Sequence, residues 1–384
     1  MVLDGRRIAV ALAGFCTFVA LYMPQALLPS LAQEFAVGPA EISTIITAST
    51  LAIALTAPFT GALADVLGRK RLITAAMVAV AVPTALTAFA PDVGSLIVWR
   101  FVQGLLLPPI FVVTVAYIGD EWPAAEVPTI AGLYVAGSSI GGFVGRFAPG
   151  VLADLVGWRS AFLSVAAMIL ACAAAVAWLL PRERKFVRSE GFVASLQQML
   201  HHLRNRQLVA TYAVGFGVLF NFIATFTYVS FHLAAPPYRF SPSRLGAIFI
   251  TYLAGTVLAP LAGRAVNWFG RRAFMLATIG LWALGALMTL AAPLPAIAAG
   301  LTLCAGCGMV CQAISTATVT ATAHQGRSSA VGLYVTAFYL GGGVGAFLPG
   351  LAWNDGGWPA TVAMVVAMQA VMALIVALAW KRSL

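Results

Sequence analysis

The sequence predicts an all-α integral membrane protein of twelve transmembrane helices, arranged as two pseudosymmetric six-helix bundles. Three observations predict this class. Of the 384 residues, 61% are hydrophobic and 9% are charged, whereas soluble domains carry about 25% charged residues. Long apolar segments recur along the whole chain, and sequence patterns of the first half return in the second. With so few charged residues, the chain could not cover a water-exposed surface with polar groups. Lipid is therefore the expected solvent.

Each apolar segment is long enough to cross the hydrocarbon core, which takes about 20 residues. The predicted spans cover residues 8–31, 41–63, 72–90, 94–117, 127–152, 158–181, 207–234, 242–263, 273–292, 294–319, 328–352 and 358–380. Residues 1–181 then form one bundle, 207–384 form the other, and 182–206 form a linker. Apolar residues of the linker recur at helical spacing, which predicts an amphipathic helix on the cytoplasmic membrane surface.

The charged residues predict the orientation. Most Lys and Arg residues fall in loops on one side of the spans, and Arg159, Arg239 and Arg244 fall on the other. The positive-inside rule then places both termini in the cytoplasm of a bacterium, with the chain in the inner membrane. The first apolar segment is too long for a signal peptide and is interpreted as a retained span. The net charge of +10 therefore reflects topology and not binding of nucleic acid.

Two parts of the sequence occur twice. Hinge one, residues 61–71, reads GALADVLGRKR, and hinge two, residues 263–272, reads GRAVNWFGRR. The glycine-rich residues 141–150 of span five return at 341–350 of span eleven without a gap. Arg146 of the first copy corresponds to Ala346 of the second, so the shared scaffold does not need an arginine there.

These motifs resemble those of the major facilitator superfamily. Hinge one resembles its signature loop between spans two and three, and the sequence RFVQG at 100–104 resembles its second motif. The glycines from 137 to 150 resemble the span-five motif of its twelve-span antiporter branch, and the chain looks most similar to YnfM-like and arabinose-efflux-like permeases. The resemblance covers the whole chain and implies two bundles that alternate in exposing a solute to either side.

The hinges are candidate gates on the cytoplasmic side. Gly61 is expected to let helices approach, Gly68 to permit a tight turn, and Asp65 to pair with a basic side chain or a helix N-terminus. The resemblance implies that such contacts latch the outward-facing state; a solvated basic loop that only sets topology is the alternative. The candidate gate residues are Gly61, Asp65, Gly68, Arg69, Arg71, Asp120, Glu121, Gly263, Asn267, Gly270 and Arg271.

Arg100 and Arg146 are the two charges that topology does not explain. Each lies about six residues inside the end of its span, or roughly 9 Å deep. Ionised residues at such depth usually face protein or a watery cavity and mark a pathway, although an arginine can also extend to the membrane surface. The resemblance implies a role for Arg100 in proton coupling or substrate contact. Further candidates for a cavity lining, or for simple packing, are Tyr22, Gln25, Gln103, Asn221, Tyr228 and Gln312.

The distribution of acids bears on the substrate. No carboxylate falls near the bilayer midplane, which favours an anionic, zwitterionic or neutral solute over a cation. The coupling proton then has no obvious carrier, and Asp65, Glu34 and His232 are the remaining candidates. The sequence has no phosphate-binding loop and no catalytic set, so neither an ATP-driven pump nor an enzyme is expected, and no cofactor is implied.

Cys304, Cys307 and Cys311 share one helical face and could bind Cu(I) as thiolates. Small apolar filler between helices is the other interpretation of these cysteines. The leading hypothesis is a monomeric, proton-coupled secondary transporter that exports a small organic molecule by rocker-switch alternating access. Its expected partners are the solute, protons and the lipid bilayer. A metal or metal-complex carrier and a membrane receptor without transport are the alternatives.

Overall fold

The structure is a computed structural model that describes residues 4–183, 192–258, 262–323 and 326–380, and in these residues it contains helices and no strands. Three short 3₁₀ turns interrupt spans one, two and eight, at Gln25–Leu27, Ala57–Phe59 and Phe249–Thr251. The helices are α1 (Gly5–Tyr22), α2 (Leu28–Glu34), α3 (Pro39–Thr56), α4 (Thr60–Leu67), α5 (Arg69–Thr87), α6 (Val93–Leu106), α7 (Pro108–Glu121), α8 (Val127–Val156), α9 (Trp158–Leu179), α10 (Phe192–His202), α11 (Arg206–Ala234), α12 (Pro242–Ile248), α13 (Tyr252–Leu258), α14 (Ala262–Phe269), α15 (Arg271–Met288), α16 (Leu294–Thr322) and α17 (Arg327–Ala379).

Ten stretches of the described chain are long and apolar enough to cross a membrane. The last, Ser329–Ala379, has 51 residues, which is enough for two crossings, and its backbone is not helical at Gly356 and Gly357. Predicted span eight lies in the short helices α12 to α14, each below the length of a spanning helix. With α17 counted as two spans, the described residues contain eleven, and predicted span eight falls on α12 and α13 next to residues 259–261, which lie outside the described part.

The exposed surface of the spans is apolar. Trp178 is 85% exposed and Leu378 is 79% exposed, and many other large hydrophobic side chains are also exposed. A soluble protein rarely leaves contiguous apolar surface of this extent in water. Lipid contact explains it, because the hydrocarbon core solvates these side chains at no cost.

Glycines bring α1 and α8 into backbone contact. A Cβ added at Gly141 would lie 2.7 Å from the Cα of Phe15, and one added at Gly145 would lie 2.7 Å from the Cα of Val19. Real side chains do not tolerate such separations, so the two helices touch along a stripe that requires glycine.

An equivalent stripe of glycines joins α11 and α17. A Cβ added at Gly341 would lie 2.8 Å from the Cα of Phe216, and one at Gly345 would lie 2.7 Å from the Cα of Phe220. The sequence repeat is therefore also a packing repeat, in which span one packs on span five as span seven packs on span eleven.

The described chain divides into two compact units. The first comprises the described residues of Met1–Phe35, Ala48–Phe192 and Arg239–Ala247, and the second those of Ala36–Thr47, Val193–Tyr238 and Ile248–Leu384. Each unit thus includes a short segment from the other half of the sequence. In the first unit the Ser243 amide donates to the Asp154 carboxylate at 3.0 Å, and in the second the Thr47 hydroxyl donates to the Gly343 carbonyl at 2.9 Å. The predicted division at residues 181 and 207 stays a prediction.

The predicted linker contains one described helix, α10. His202 on this helix is buried, and its Nε2 lies 3.1 Å from the carbonyl oxygen of Gly326. The Ser329 hydroxyl donates to Gln198 Oε1 at 3.1 Å, so α10 lies against the start of α17 in the second unit. Residues 184–191 of the linker, and the side chains of residues 192–196, lie outside the described part.

Candidate functional site

The first span is broken near its middle, and the sequence explains the break. Pro24 has no backbone N–H, so it cannot donate to the carbonyl oxygen of Ala20 one turn earlier. The α-helix α1 accordingly ends at Tyr22, a 3₁₀ turn follows over Gln25–Leu27, and α2 begins at Leu28. Carbonyl groups at such a break need another donor, because unpaired carbonyls are costly where water is excluded.

Arg100 supplies that donor. Its side chain is fully buried, with Nη1 donating to the Ala20 carbonyl at 2.9 Å and Nη2 to the Leu21 carbonyl at 2.6 Å. Nη2 also donates to the Ser49 hydroxyl of α3 at 3.1 Å. The guanidinium therefore fastens α6 to the break in span one and replaces the hydrogen bond that Pro24 cannot make.

Gln103, one turn after Arg100, extends this polar network. Its Oε1 accepts from Arg100, and its Nε2 donates to the Thr84 hydroxyl of α5 at 2.6 Å. Both residues are buried. The network thus connects spans one to four within the first unit and uses every polar group of the Gln103 side chain.

Arg146 lies on the other side of the break. Its Nε donates to Gln25 Oε1 at 2.7 Å, and its Nη1 donates to the Gly142 carbonyl at 2.7 Å. The guanidinium carbon lies 3.7 Å from the centre of the Tyr22 ring, which is a close cation–π contact. Arg146 is 1% exposed. The side chain points into the protein and does not extend to the surface.

These contacts fix the orientation of the Arg146 guanidinium. A buried cation held in this way costs free energy of folding, and chains keep such residues mostly where they serve a pathway. The group formed by Tyr22, Gln25 and Arg146 is called the Arg146 site below.

The second unit contains the equivalent scaffold without the charge. The packing repeat pairs Val19 with Phe220, and the same register assigns Tyr22 to Ile223 and Gln25 to Phe226. Arg146 corresponds to Ala346, and all three counterparts are buried apolar residues. The fold can therefore be built with apolar residues at these positions, so stability alone does not account for the Arg146 site.

Hinge one carries a second polar group. Gly68 has φ = +81°, a backbone conformation that favours glycine, and it directly precedes α5. The side chain of Arg69 forms an ion pair with Asp120 at the end of α7. The carboxylate of Glu183 accepts from the amide of Arg69 at 3.0 Å and from the amide of Lys70 at 3.2 Å. A carboxylate at a helix N-terminus satisfies unpaired amides and interacts favourably with the helix dipole.

The expectation that Gly61 lets helices approach is not met in the described residues. A Cβ at Gly61 would meet no described atom within 4 Å, and the same holds at Gly263, so neither glycine serves a close helix approach. Both glycines are exposed, so no neighbouring helix in the described residues lies close enough to need a residue without a side chain. The Glu121 carbonyl accepts from Arg6 at 3.3 Å. The side chain of Asp65 lies outside the described residues.

Within the described residues, hinge two repeats the turn of hinge one, and no ion pair like that of Arg69 with Asp120 is described there. Gly270 has φ = +78° and directly precedes α15, as Gly68 directly precedes α5. Asn267 is exposed, and Arg272, next to Arg271, donates to the Ala377 carbonyl at the end of α17. Arg71, like Asn267, is exposed.

Comparison with known proteins identifies the family. The family model of the Major Facilitator Superfamily matches residues 10–249 and 219–383. The chain belongs to the Major Facilitator Superfamily. It is 32% identical over 376 residues to the inner membrane transport protein YnfM of Escherichia coli K12, covering 96% of this chain and 89% of that protein. It is 29% identical to the uncharacterized MFS-type transporter YybF of Bacillus subtilis 168, covering 93% and 88%.

Solved structures agree with this fold. The nucleoside transporter NupG superposes with a TM-score of 0.82 at 13% identity, covering 98% of this chain and all of that one. The human organic anion transporter MFSD10 superposes with a TM-score of 0.73 at 18% identity, covering 97% and 99%. At these identities the likeness concerns the fold. With the family established, the protein is a multi-pass membrane transporter of the Major Facilitator Superfamily.

The three cysteines of this superfamily member do not form a metal site in the described residues, where no group of three His, Cys, Asp or Glu side chains is placed to hold an ion. Cys304, Cys307 and Cys311 are buried in α16. The Cys304 thiol lies 3.9 Å from the carbonyl oxygen of Trp282, its hydrogen-bond acceptor. Helical spacing predicted a common face for the cysteines, and in the described structure these side chains are buried among other helices.

The remaining lining candidates lie in the second unit. Asn221 is buried and donates to the Gly217 carbonyl at 2.8 Å and to the Met372 sulfur at 3.3 Å. The Tyr228 hydroxyl donates to the Ala346 carbonyl at 2.6 Å. Gln312 is half-buried on α16. Asn221 and Tyr228 thus bind neighbouring helices, and a role in lining a cavity stays a prediction for all three.

Sequence reasoning missed Glu183, Ser49 and Thr84. Glu183 stands between Arg182 and Arg184 in a basic stretch, and an acid in such a place was a usable signal of a nearby cationic or helix-terminal partner. Ser49 and Thr84 carried no signal, because single hydroxyl residues are common in membrane helices and their partners lie on other spans.

Proposed function

We propose that this transporter exports a small organic solute bearing a negative charge, as an anion or zwitterion, in exchange for protons. The Arg146 site supports the proposal, because it places a buried guanidinium beside a tyrosine ring and a glutamine amide at a position where the equivalent unit has apolar residues. A solute anion that reaches this cation would be attracted by its positive charge and bound through charge-assisted hydrogen bonds. Transport would proceed by alternating access, in which the solute is exposed to one side at a time.

Proton coupling rests on the sequence. No phosphate-binding loop is present to use ATP, so an ion gradient is the available energy source. Of the candidate proton carriers, Glu34 is paired with Arg159 at 2.9 Å on a partly exposed surface, and the His232 ring stacks on Trp358. Neither contact favours one candidate, and export is proposed over uptake by analogy with the antiporter branch.

The proposed location is the bacterial inner membrane, with both termini in the cytoplasm and the chain acting as a monomer. The segregation of Lys and Arg residues supports the orientation. The name of the Escherichia coli relative, an inner membrane transport protein, supports the membrane.

The test uses the full chain reconstituted in vesicles under an imposed proton gradient. The probes are radiolabelled p-aminohippurate as the anion, phenylalanine as the zwitterion and tetraethylammonium as the cation. We expect gradient-dependent flux of the anion or zwitterion, and a loss of at least about tenfold in Arg146→Ala, since each hydrogen bond to a charged group contributes about that factor.

Arg244→Ala is the matched control, because Arg244 is an exposed arginine of the same unit. Its flux should stay close to that of the wild type. Flux of tetraethylammonium alone, or unchanged anion flux in Arg146→Ala, would contradict the proposal. Absence of all flux together with an unchanging pattern of cysteine labelling on both faces of span five would instead favour a receptor.

A further inference from the structure

One face of α10 is bound to the second unit. The Ser329 hydroxyl donates to Gln198 Oε1 at 3.1 Å, and His202 Nε2 lies 3.1 Å from the Gly326 carbonyl oxygen. Gln198 and His202 are four residues apart, so they lie on the same face of the helix. That face fixes the position of α10 against the start of α17, and the opposite face is turned away from α17.

The side of α10 turned away from α17 is apolar and exposed. Leu200 lies two residues from each of Gln198 and His202, which places it about 160° around the helix from both. Its side chain is 60% exposed, and that of Leu203, which directly follows the helix, is 51% exposed. Such side chains gain free energy when an apolar environment covers them. The two leucines therefore form a surface suited to an apolar partner.

Basic side chains lie beside these leucines. Arg204 and Arg206 directly follow α10, and Arg327 begins α17 next to Gly326, which His202 contacts. All three arginines are exposed. Arg206 also begins α11, which is long and apolar enough to span a membrane. The arginines and leucines thus lie at the level where a span leaves the lipid.

The described carboxylates of the second unit lie at its other end. Asp355 is separated from Arg327 along α17 by about 40 Å, at 1.5 Å per residue. Glu41 follows Ala40, whose Cα lies 2.5 Å from a Cβ added at Gly350, close to Asp355 in α17. Among the described residues of the second unit, the end that carries α10 therefore has exposed arginines and no acid to neutralise them.

We propose that the surface formed by these two leucines and three arginines, called the α10 surface below, binds an anionic phospholipid of the membrane. Helices that lie at a membrane boundary bury apolar side chains among the acyl chains and direct basic side chains to anionic headgroups. An anionic phospholipid offers both partners in one molecule, whereas free phosphate offers nothing to the leucines. The proposal does not depend on which solute the protein moves, and it adds the charge of the lipid to the expectation that α10 lies on a membrane.

Thermal unfolding of the purified full chain in dodecyl maltoside tests the arginines. The midpoint is followed against the concentration of dioleoylphosphatidylglycerol, with dioleoylphosphatidylcholine as the zwitterionic reference, and its rise yields an apparent Kd. We expect the anionic lipid to bind more tightly than the reference. The double variant Arg204→Ala with Arg206→Ala should bind the anionic lipid about 25-fold more weakly, because each arginine near an anionic surface contributes about fivefold.

The double variant Arg239→Ala with Arg244→Ala is the matched control. It removes the same charge, and both arginines are exposed, but neither belongs to the α10 surface. Its apparent Kd should equal that of the wild type. Equal affinity for the two lipids, an equal loss in the two double variants, or an equal rise of the midpoint with inorganic phosphate in place of lipid would each overturn the proposal.

A depth measurement tests the leucines separately. A nitroxide label is attached to Leu200→Cys in nanodiscs that contain phosphatidylglycerol; the five native cysteines are buried, so the label reacts at the new residue. Collisions with molecular oxygen, which is concentrated in lipid, should exceed those with a water-soluble nickel chelate. A label at His201→Cys, exposed on a different side of α10, should show the reverse. Preferential collision with the chelate at both positions would contradict the proposal.

Discussion

Replacement of Arg100 by methionine tests the origin of the break in span one. Methionine preserves much of the apolar stem of the arginine but cannot donate to the carbonyls of Ala20 and Leu21. Each buried carbonyl that loses its partner costs about 1–3 kcal/mol, so the two together give about 2–6 kcal/mol. Relief of the buried charge offsets part of this sum. We therefore expect the free energy of unfolding to fall by less than this sum but by more than about 1 kcal/mol.

The assay is unfolding in mixed micelles of dodecyl maltoside and SDS, followed by circular dichroism. Arg159→Met is the control, because the Arg159 side chain is 49% exposed and its ion pair with Glu34 lies at the surface. Exposed pairs contribute about 0–1 kcal/mol. If Arg100→Met loses no more stability than this control, Arg100 does not hold span one together, and the reasoning from Pro24 is refuted.

Three further predictions concern packing, capping and pH. Gly141→Ala should cost about 1–3 kcal/mol in the same assay, because the added Cβ would overpack a backbone contact between α1 and α8. Glu183→Ala should speed amide hydrogen exchange in the first turn of α5, with a loss of about 0.5–2 kcal/mol of local stability. Hydrogen bonds from the Ser95 amide and hydroxyl lower the pKa of Asp92 below its ordinary value of 3.8. The stability that Asp92 contributes is therefore present above pH 3.8, and it is lost as the pH falls through the lower pKa of the folded state.

Each of these has a matched comparison. Gly132→Ala should be neutral or slightly stabilising, because no described atom lies within 4 Å of the added Cβ. Glu126→Ala, which removes a partly exposed ion pair with Arg7, should leave exchange in α5 unchanged. Asp92→Asn should flatten the acid side of a thermal-stability profile between about pH 5 and pH 3; an unaltered profile would contradict the capping role.

The sequence by itself determined the class, the spans and the repeat. Hydrophobic length is a local property, because each span must satisfy its own backbone in lipid, so runs of apolar residues predict helices before any contact is known. The glycines of 141–150 and 341–350 repeat in the sequence, and in the structure both sets serve close approach of helices. Arg100 and Arg146 were candidates because they lie well inside the ends of their predicted spans.

Tertiary structure decided what those residues contact. Arg100 and Arg146 had the same signature in the sequence, yet the first binds the carbonyls of a broken helix and the second binds a ring and an amide. Glu183 reaches the start of α5 from more than a hundred positions away. Hydrogen-bond partners depend on which faces of distant helices meet, and no periodicity along the chain encodes that. The sequence therefore indicated where charge is buried, and the fold decided which groups each of these charged side chains contacts.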